Sequence, residues 1–377
     1  MWNVQLFKLN YDDQESLAVK NVIDSGWITM GEKSKEFESK FSTFLQNDVH
    51  STAVTNCTAA LHLALLALGI KAEDEVIIPA LTFVADINVV RIVGATPVLA
   101  DCESLENWNM TAATIEKVIT PKTKAIILVH FAGYPCKMDE IVALCNKNKI
   151  AIIEDCAHAP GAKYKNQSVG TFGDFGCFSF FTNKNLSVGE GGMLTTMNAE
   201  LDQKVKYFRS HGMTSLTLDR HKGRAITYDV SQPGLNYRID EIRSALGLVQ
   251  LEKLTKANER RKLLVEKYIE LLEGTNGISI PFMDTKNLKS VYHIFPILLG
   301  VGIDRLGIIE LMKQDGIQTS IHYPSFRDFT AFSDLNLNEA HIAEDIAKRE
   351  LTLPLYPTMT FEEVELVVIS IKSALGS

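Results

Sequence analysis

An aspartate and a lysine each follow an apolar run of strand length, and together they could carry out chemistry. Asp155 comes directly after the run Ile150–Glu154, and Lys184 follows the run Cys177–Phe181. Side chains at the carboxyl ends of parallel strands face the crevice where ligands bind. Such a pair can be a structural salt bridge. It can also hold pyridoxal phosphate, since a lysine binds the aldehyde of this cofactor and a carboxylate keeps its pyridine nitrogen protonated. On these two residues alone, both interpretations stay open.

A second group of residues suits the phosphate and the ring of such a cofactor. Residues 56–59 (Asn-Cys-Thr-Ala) lie between a predicted strand and an apolar helix, where free backbone N–H groups can bind an anion. The same place suits an N-cap, in which Asn56 or Thr58 accepts from those N–H groups. The hydroxyl of Ser179 could add a donor, and Phe83 could stack on a planar ring or belong to the core. These residues therefore support a phosphate site without proving one.

The elements that must position these residues alternate along the first two-thirds of the chain. The runs predicted as strands are Ser51–Thr55, Glu75–Ile78, Thr96–Asp101, Ala125–His130, Ile150–Glu154, Gly176–Phe181 and Gly192–Thr196. Between them lie helical segments such as Lys137–Lys149 and the helix Thr58–Leu68, which is apolar on nearly every face. Continuous apolar strands that alternate with helices predict an α/β domain, with helices on both faces of a mostly parallel sheet.

The pattern changes after about Gly247, where a long polar helix is predicted over Leu248–Glu273. Its charge run is typical of a solvated helix face and comprises Glu252, Lys253, Lys256, Glu259, Arg260, Arg261 and Lys262. Predicted strands follow at Ile278–Pro281 and Ile294–Leu299, and predicted helices at Arg305–Gln314 and Phe361–Leu375. The sequence thus predicts a large α/β domain over residues 1–247 and a smaller C-terminal α+β domain over residues 248–377.

Composition and charge exclude several classes of protein. The chain has 377 residues, of which 46% are hydrophobic, and its 38 basic and 46 acidic side chains give a net charge of −8. This apolar fraction is incompatible with a disordered chain, and the acidic balance disfavours a nucleic-acid surface. No apolar stretch approaches the roughly 20 residues of a membrane span, and Met1–Asn10 lacks the apolar core of a secretory signal. We therefore expect no membrane and no nucleic acid among the partners.

The six cysteines indicate a reducing compartment. None belongs to a C-x-x-C pair, and most lie in apolar runs, so we expect buried, reduced thiols in a cytoplasmic protein. Cys156 and His158 are two residues apart and could be two ligands of a metal ion. Because no partner cluster completes such a site, no metal is expected.

Many blocks of the sequence, in a fixed order, resemble the DegT/DnrJ/EryC1/StrS family of pyridoxal-phosphate-dependent sugar aminotransferases. The blocks are residues 25–29 (SGWIT), 58–65 (TAALHLAL), 79–85 (PALTFVA), 154–159 (EDCAHA), 179–192, 236–238 (NYR), 322–324 (HYP) and 353–355 (LPL). The resemblance runs from about Lys8 to Lys372. It implies the fold type I, aspartate aminotransferase-like architecture, with pyridoxal 5′-phosphate as the cofactor.

The resemblance also implies a role for individual residues. Lys184 is the catalytic lysine that binds the cofactor aldehyde, Asp155 is the partner of its pyridine nitrogen, and His158 lies against its ring. Phe83 stacks on the ring, while Thr58, Ala59 and Ser179 bind the phosphate. Asn236 reaches the phosphate of a neighbouring subunit, which implies a homodimer with shared active sites. Trp27, Ile28, His322 and Tyr323 line the substrate pocket.

The implied reaction moves an amino group from L-glutamate to a keto group of a nucleotide-linked 3- or 4-keto-6-deoxy sugar, for amino-sugar, polysaccharide or glycoside biosynthesis. Lys33, Arg224, Arg238 and Arg327 are candidate cations for the nucleotide diphosphate, and each could equally be a surface charge. Two alternatives are a sugar dehydratase of the same family, which carries histidine in place of the lysine, and a non-catalytic regulator. The presence of both Lys184 and Asp155 favours amine transfer.

Overall fold

A seven-stranded sheet forms the centre of the computed structural model, which describes residues 2–46, 48–214 and 227–376. The strands of the chain are β1 (His50–Val54), β2 (Glu75–Pro79), β3 (Thr96–Ala100), β4 (Thr123–Val129), β5 (Ala151–Asp155), β6 (Lys163–Tyr164), β7 (Gln167–Ser168), β8 (Phe175–Ser179), β9 (Gly192–Thr196), β10 (Ile278–Ser279), β11 (Leu288–Lys289), β12 (Phe295–Leu299) and β13 (Glu350–Leu353). The central sheet has the order β1-β9-β8-β5-β4-β2-β3. Only β9 runs antiparallel to its neighbours, β1 and β8, among the pairings of this sheet. The predicted mostly parallel sheet is confirmed, and all seven predicted strands belong to it.

Helices cover both faces of this sheet, as predicted. The α-helices of the described residues, some of which belong to the smaller C-terminal core, are α1 (Asp13–Ser25), α2 (Glu32–Leu45), α3 (Cys57–Ala67), α4 (Ala85–Ile92), α5 (Ala112–Glu116), α6 (Met138–Asn148), α7 (Ala199–Arg209), α8 (Glu241–Leu272), α9 (Arg305–Gln314), α10 (His341–Arg349) and α11 (Phe361–Ala374). Successive strand residues point to opposite faces, so Ile127 packs with α3 and α4 while Ile126 packs with α6. α3 is buried along most of its length, which explains why it is apolar nearly all round.

The long helix α8 corrects one prediction about its charged residues. Arg261 is not on a solvated face: its side chain is buried, and its guanidinium donates to the carbonyls of His293 at 3.1 Å and Leu355 at 3.0 Å. Lys253 also points inward, where it pairs with buried Glu15 at 2.7 Å. The charge pattern predicted the helix, but it did not show which of the basic side chains bond to buried groups.

A smaller core surrounds the antiparallel sheet β10-β12-β13. Tyr268 of α8 stacks on Phe295 of β12 with the ring centroids 4.6 Å apart, and Val4 near the N-terminus pairs with Ile317 beside this core. Because α8 continues without a break through residue 247, it belongs to both cores, and the division into domains at that residue stays a prediction. The strand β13 and the helix α10 were not predicted.

Two further expectations concern the burial of the cysteines and the membrane-spanning capacity of the helices. All six cysteines are buried, as predicted, and each is a free thiol in this structure. Within the three described segments, each helix is too short or too polar to cross a lipid bilayer.

Candidate active site

Asp155 and Lys184 lie at one cavity of about 400 Å³, at the carboxyl ends of the central strands. Asp155 is the last residue of β5, and Ser179 is the last residue of β8. The predicted site residues that line the cavity are Thr58, Phe83, Asp155, His158, Ser179, Lys184, His322 and Tyr323. The topology of the sheet therefore brings together side chains that are up to 265 positions apart in the chain, the span from Thr58 to Tyr323.

Lys184 is held in a turn that follows β8. Its backbone N–H donates to the carbonyl of Phe181 at 2.9 Å, and its Nζ lies 3.4 Å from Nε2 of His293. Burial lowers the pKa of Lys184 to about 8, although the negative charge of Asp155 acts in the opposite direction. At neutral pH a far larger fraction of this amine is uncharged than in an exposed lysine. Lys184 is therefore suited to act as a base or a nucleophile.

The contact between Lys184 and His293 has a defined direction. The amide nitrogen of Asn185 donates to Asn258 Oδ1 at 2.8 Å and to the carbonyl of Val291 at 2.9 Å. The oxygen of the Asn185 amide is left to accept from His293 Nδ1, which lies 2.9 Å away. Burial holds the pKa of His293 well below its ordinary value, so the ring is neutral and its Nε2 is an acceptor. Lys184 consequently donates to His293.

His293 is a site residue that the sequence did not reveal. It stands alone in the chain, in front of β12, without a second histidine or acidic residue at a telling spacing. Its distance of 109 positions from Lys184 left no local signal, and only the tertiary fold brings the two together.

Asp155 is buried at the base of the cavity. The backbone N–H of Ala157 donates to its Oδ1 at 2.8 Å, and the thiol of Cys57 lies 3.8 Å from the same oxygen. Burial raises the pKa of Asp155, while the Ala157 N–H and the positive charge of Lys184 oppose that rise. Asp155 and Lys184 do not form an ion pair with each other in the described part of the chain. The structural salt bridge, one of the two open interpretations, is therefore not formed.

His158 and Tyr323 form a hydrogen-bonded pair on the wall of the cavity. The backbone N–H of Ala132 donates to Nδ1 of His158 at 3.3 Å, and burial lowers the pKa of this histidine well below its ordinary value. The neutral ring thus carries its hydrogen on Nε2, which donates to the Tyr323 hydroxyl at 3.0 Å. Burial raises the pKa of Tyr323, so its own O–H remains available as a donor.

His322 is fixed beside this pair. Its Nδ1 lies 2.8 Å from the hydroxyl of Thr352, and its backbone N–H donates to the carboxyl of Glu350 at 2.6 Å. Burial lowers the pKa of His322 to about 3, so that its imidazole is neutral where it lines the cavity. β13, which carries both partners of His322, thereby supports the substrate side of the predicted site.

The structure agrees in part with the predictions for Phe83 and for the residues expected to bind the cofactor phosphate. The Phe83 side chain is 54% exposed and lines the cavity, which is unlike a core residue and leaves its ring free to stack on a ligand. Asn56 caps α3 by accepting from the N–H of Ala59 at 2.8 Å, so the N-cap alternative is the arrangement that this structure contains. Thr58 is exposed to the cavity, and Ser179 Oγ accepts from Phe181 N at 3.3 Å. The phosphate roles of Thr58, Ala59 and Ser179 stay predictions.

Four predicted site residues do not line the cavity of the single chain, as far as the structure describes it: Ala59, Trp27, Ile28 and Asn236. The indole of Trp27 packs so closely on Gly31 that a Cβ there would lie 2.6 Å from Nε1. Ile28 and Asn236 are exposed on the surface. The roles of these four residues stay predictions.

The candidate cations for a diphosphate differ in their surroundings. Arg327 is used within the protein, where it pairs with Glu344 at 2.7 Å and donates to two backbone carbonyls. Lys33 pairs with Glu36 at 2.8 Å on the surface, and Arg238 lies next to Val54 through a backbone bridge. Arg224 lies outside the described residues.

The residues at the cavity fit pyridoxal phosphate. The amine of Lys184 has a lowered pKa, a buried carboxyl group lies at the base, and the ring of Phe83 is exposed on the wall. Lys184 would hold the cofactor aldehyde, Asp155 the pyridine nitrogen, and the first turn of α3 the phosphate.

A buried cluster of His130, Glu154 and Cys156 has the composition of a metal site, with ligand atoms within 4.8 Å of one another. Glu154 already accepts from His130 at 3.1 Å and from the backbone N–H groups of residues 170, 172 and 173 at 2.7 to 3.0 Å. Through these bonds the buried Glu154 carboxylate holds the loop that precedes β8 in place, which accounts for its burial.

A larger groove of about 660 Å³ runs along α8 and is lined by residues such as Lys262, Glu266 and Tyr292. None of the predicted site residues lines it within the described parts of the chain, so the chemistry is concentrated at the smaller cavity.

The chain is similar to known proteins in both sequence and structure. The sequence matches the model of the DegT/DnrJ/EryC1/StrS aminotransferase family over residues 10–372. It is 36% identical to GDP-perosamine synthase of Escherichia coli O157:H7, over 98% of this chain and 97% of that protein. It is 34% identical to the spore coat polysaccharide biosynthesis protein SpsC of Bacillus subtilis strain 168, over 95% of this chain and 94% of that protein. The solved structure of Spr1654 from Streptococcus pneumoniae, in its PMP form, is similar with a TM-score of 0.92 and 31% identity, over 99% of each chain.

Proposed function

The chain belongs to the DegT/DnrJ/EryC1/StrS aminotransferase family, and on this premise we propose that it moves the amino group of L-glutamate to a keto group of a nucleotide-linked sugar. Similar structures in PLP and PMP forms identify the cofactor, so the protein is a pyridoxal-phosphate-dependent sugar aminotransferase. The observation that carries the proposal is the buried amine of Lys184, whose pKa of about 8 suits proton transfer, at the same cavity as Asp155.

Each residue at the cavity has a definite task in this proposal. Pyridoxal phosphate, when bound, supplies the aldehyde that takes up the amino group and a ring that accepts electrons. The amine of Lys184 would carry the proton that leaves the α-carbon of glutamate and would later deliver a proton to the sugar carbon. His293 accepts a hydrogen from Lys184 and so keeps the amine aimed into the cavity.

The substrate side of the cavity favours a ligand rich in hydroxyl groups. The Tyr323 hydroxyl accepts from His158 and keeps its own O–H for a ligand, and the neutral imidazole of His322 lies next to it. These groups suit a sugar that bears a keto group at C3 or C4. The Escherichia coli and Bacillus subtilis relatives support a nucleotide-linked sugar and a role in polysaccharide biosynthesis. Six buried, free thiols suit the reducing cytoplasm as the place of the reaction.

A coupled assay tests this function. The purified protein, loaded with pyridoxal phosphate, is incubated with glutamate and a panel of nucleotide-linked 3- and 4-keto-6-deoxy sugars, and 2-oxoglutarate is measured. We expect stoichiometric 2-oxoglutarate and amino sugar with one class of sugar. Loss of a sugar hydroxyl without nitrogen transfer would support the dehydratase instead, and inactivity on the whole panel would contradict the proposal.

We further propose that the enzyme acts as a homodimer with shared active sites. Asn236, which the family resemblance places at the phosphate of a neighbouring subunit, is exposed rather than at the cavity of its own chain. A second subunit would also cover exposed apolar side chains such as Ile28, which is 55% exposed.

A further inference from the structure

Asp86 is a buried acidic residue for which the proposed transamination provides no role. It lies in the first turn of α4, and its side chain is 0% exposed. The hydroxyl of Thr82 donates to its Oδ2 at 2.6 Å. Its Oδ1 accepts no hydrogen bond from the described residues, and besides Thr82 the carboxyl group of Asp155 is in hydrogen-bond contact with its carboxyl.

Two carboxyl groups in contact cannot both be ionised without strong repulsion, so one of them holds a proton. Burial and the neighbouring charge of Asp155 raise the pKa of Asp86 well above its ordinary value. Asp155 is better placed to be ionised, because it accepts from the Ala157 N–H and feels the positive charge of Lys184. The proton therefore belongs to Asp86, and the partnerless Oδ1 becomes a donor to Asp155.

We propose that Asp86 is a positioning residue that stays protonated and donates a hydrogen bond to ionised Asp155, which fixes that carboxylate toward the cofactor. The proposal rests on the proposed function in one respect, the placement of Asp155 at the pyridine nitrogen. A donated hydrogen bond lowers the proton affinity of Asp155, so the shared proton stays on the pyridine nitrogen, where the ring needs it.

The other titratable groups around Asp86 do not supply a compensating cation. Within the described chain they are Cys57 of α3, Cys177 of β8 and Tyr323, in addition to Asp155 of β5. Burial raises the pKa of both thiols and of the phenol, so all three are neutral at physiological pH. The protonated state of Asp86 is thus set by burial and by Asp155.

A pair of substitutions tests the positioning role. Asp86→Asn keeps a neutral donor of the same shape, whereas Asp86→Ala removes the donor. We expect the dissociation constant of pyridoxal phosphate, measured by visible absorbance, to rise about tenfold in Asp86→Ala and to stay within about twofold of wild type in Asp86→Asn. Equal weakening in both variants would show that Asp86 acts as an anion, and an unchanged Asp86→Ala would show that it does not position Asp155. Either result overturns the proposal.

A second measurement needs no cofactor and remains decisive if Asp86→Ala fails to fold. A group that holds a proton in the folded state but loses it on unfolding makes stability fall as pH rises above its unfolded pKa, about 3.9 for aspartate. The melting temperature of cofactor-free Asp86→Asn minus that of cofactor-free wild type should therefore increase by several degrees between pH 5 and pH 8. Parallel profiles would mean that Asp86 is ionised and would overturn the proposal, whatever the enzyme's substrate proves to be.

Discussion

A chain of hydrogen bonds determines the state of Lys184. Asn258 orients the amide of Asn185, Asn185 fixes the tautomer of His293, and His293 accepts from the lysine. Because every member of this chain is neutral or polar, it aims the amine without adding a negative charge that would stabilise the ammonium form. Burial then lowers the pKa of Lys184 to about 8. The environment keeps the lysine close to the protonation state that proton transfer requires.

Replacing Lys184 by alanine should remove both the attachment of the cofactor and the proton carrier. We expect the transfer rate to fall by at least about 10³-fold, since general acid–base catalysis alone contributes roughly 10²- to 10⁴-fold. The measurement is 2-oxoglutarate formation, together with retention of the cofactor on borohydride treatment. Lys313→Ala is the matched control, because Lys313 is exposed and pairs with Glu310 on the surface. Full activity in Lys184→Ala would refute the assignment.

The rate of cofactor uptake should report the pKa of Lys184. Only the uncharged amine attacks an aldehyde, so the rate should rise with pH up to about 8 and then level off. An ordinary lysine, with a pKa of about 10.4, would give a rate that is still rising at pH 9 to 10. The measurement is the absorbance change after mixing cofactor-free protein with pyridoxal phosphate in a stopped-flow instrument. A rate that continues to climb above pH 9 would show that burial does not lower this pKa.

Strand ends made Lys184 and Asp155 predictable, because both follow apolar runs whose length and composition indicate buried parallel strands. His293 and Asp86 were not predictable in this way. His293 meets Lys184 only through the tertiary fold, and Asp86 occupies an amphipathic helix where an acidic residue normally faces solvent. A sequence records which residue types are present, whereas the direction of a side chain depends on packing between distant segments.

The same limit applies to whole elements. All seven strands of the central sheet were predictable, since each falls in a short run of mostly apolar or β-branched residues of strand length. The strand β13 was not, because its first residue is Glu350, a charged type. In the fold this glutamate is buried, burial raises its pKa to about 8, and it accepts from the backbone of His322. Tertiary contacts thus allow a strand that the local pattern disfavours.

Glu241, at the start of α8, joins two helices through its carboxylate. It accepts from the backbone N–H groups of Gly31, Lys33 and Ser34 at 2.7 to 2.8 Å, and so caps the N-terminus of α2 from outside that helix. α2 needs this external cap because its N-cap residue, Gly31, has no side chain. The cap also fixes the segment that carries Trp27 and Ile28, since the Glu241 N–H donates to the carbonyl of Ile28 at 3.1 Å.

Replacing Glu241 by alanine should lower the free energy of unfolding by roughly 3 kcal/mol, because several buried N–H groups would lose a charged acceptor. Urea denaturation measures this change. The control is Glu252→Ala on the same helix, where the side chain is exposed, and its effect should stay within about 0.5 kcal/mol. Similar losses in the two variants would contradict the proposed role of the cap.

The cavity draws on both predicted domains of the molecule. Asp155 comes from the central sheet and Lys184 from the turn that follows β8, whereas His322 and Tyr323 come from a segment that follows α8. His293, which contacts Lys184, also lies after α8. α8 belongs to both cores, and Val4 pairs with Ile317, so the two parts are linked at more than one place. The site therefore depends on the relative position of the two parts, which no local sequence pattern could have predicted.

Mixing two inactive variants should decide whether the active sites are shared between subunits. In a mixed dimer of Lys184→Ala and Asn236→Ala chains, one site has an intact lysine and receives Asn236 from the other chain. The second site carries both defects. If Asn236 acts across the interface, the mixture should regain activity that neither variant shows alone, with dimers verified by sedimentation. If Asn236 acts within its own chain, every site in the mixture keeps one defect and no activity returns. The exposed position of Asn236 favours the first outcome.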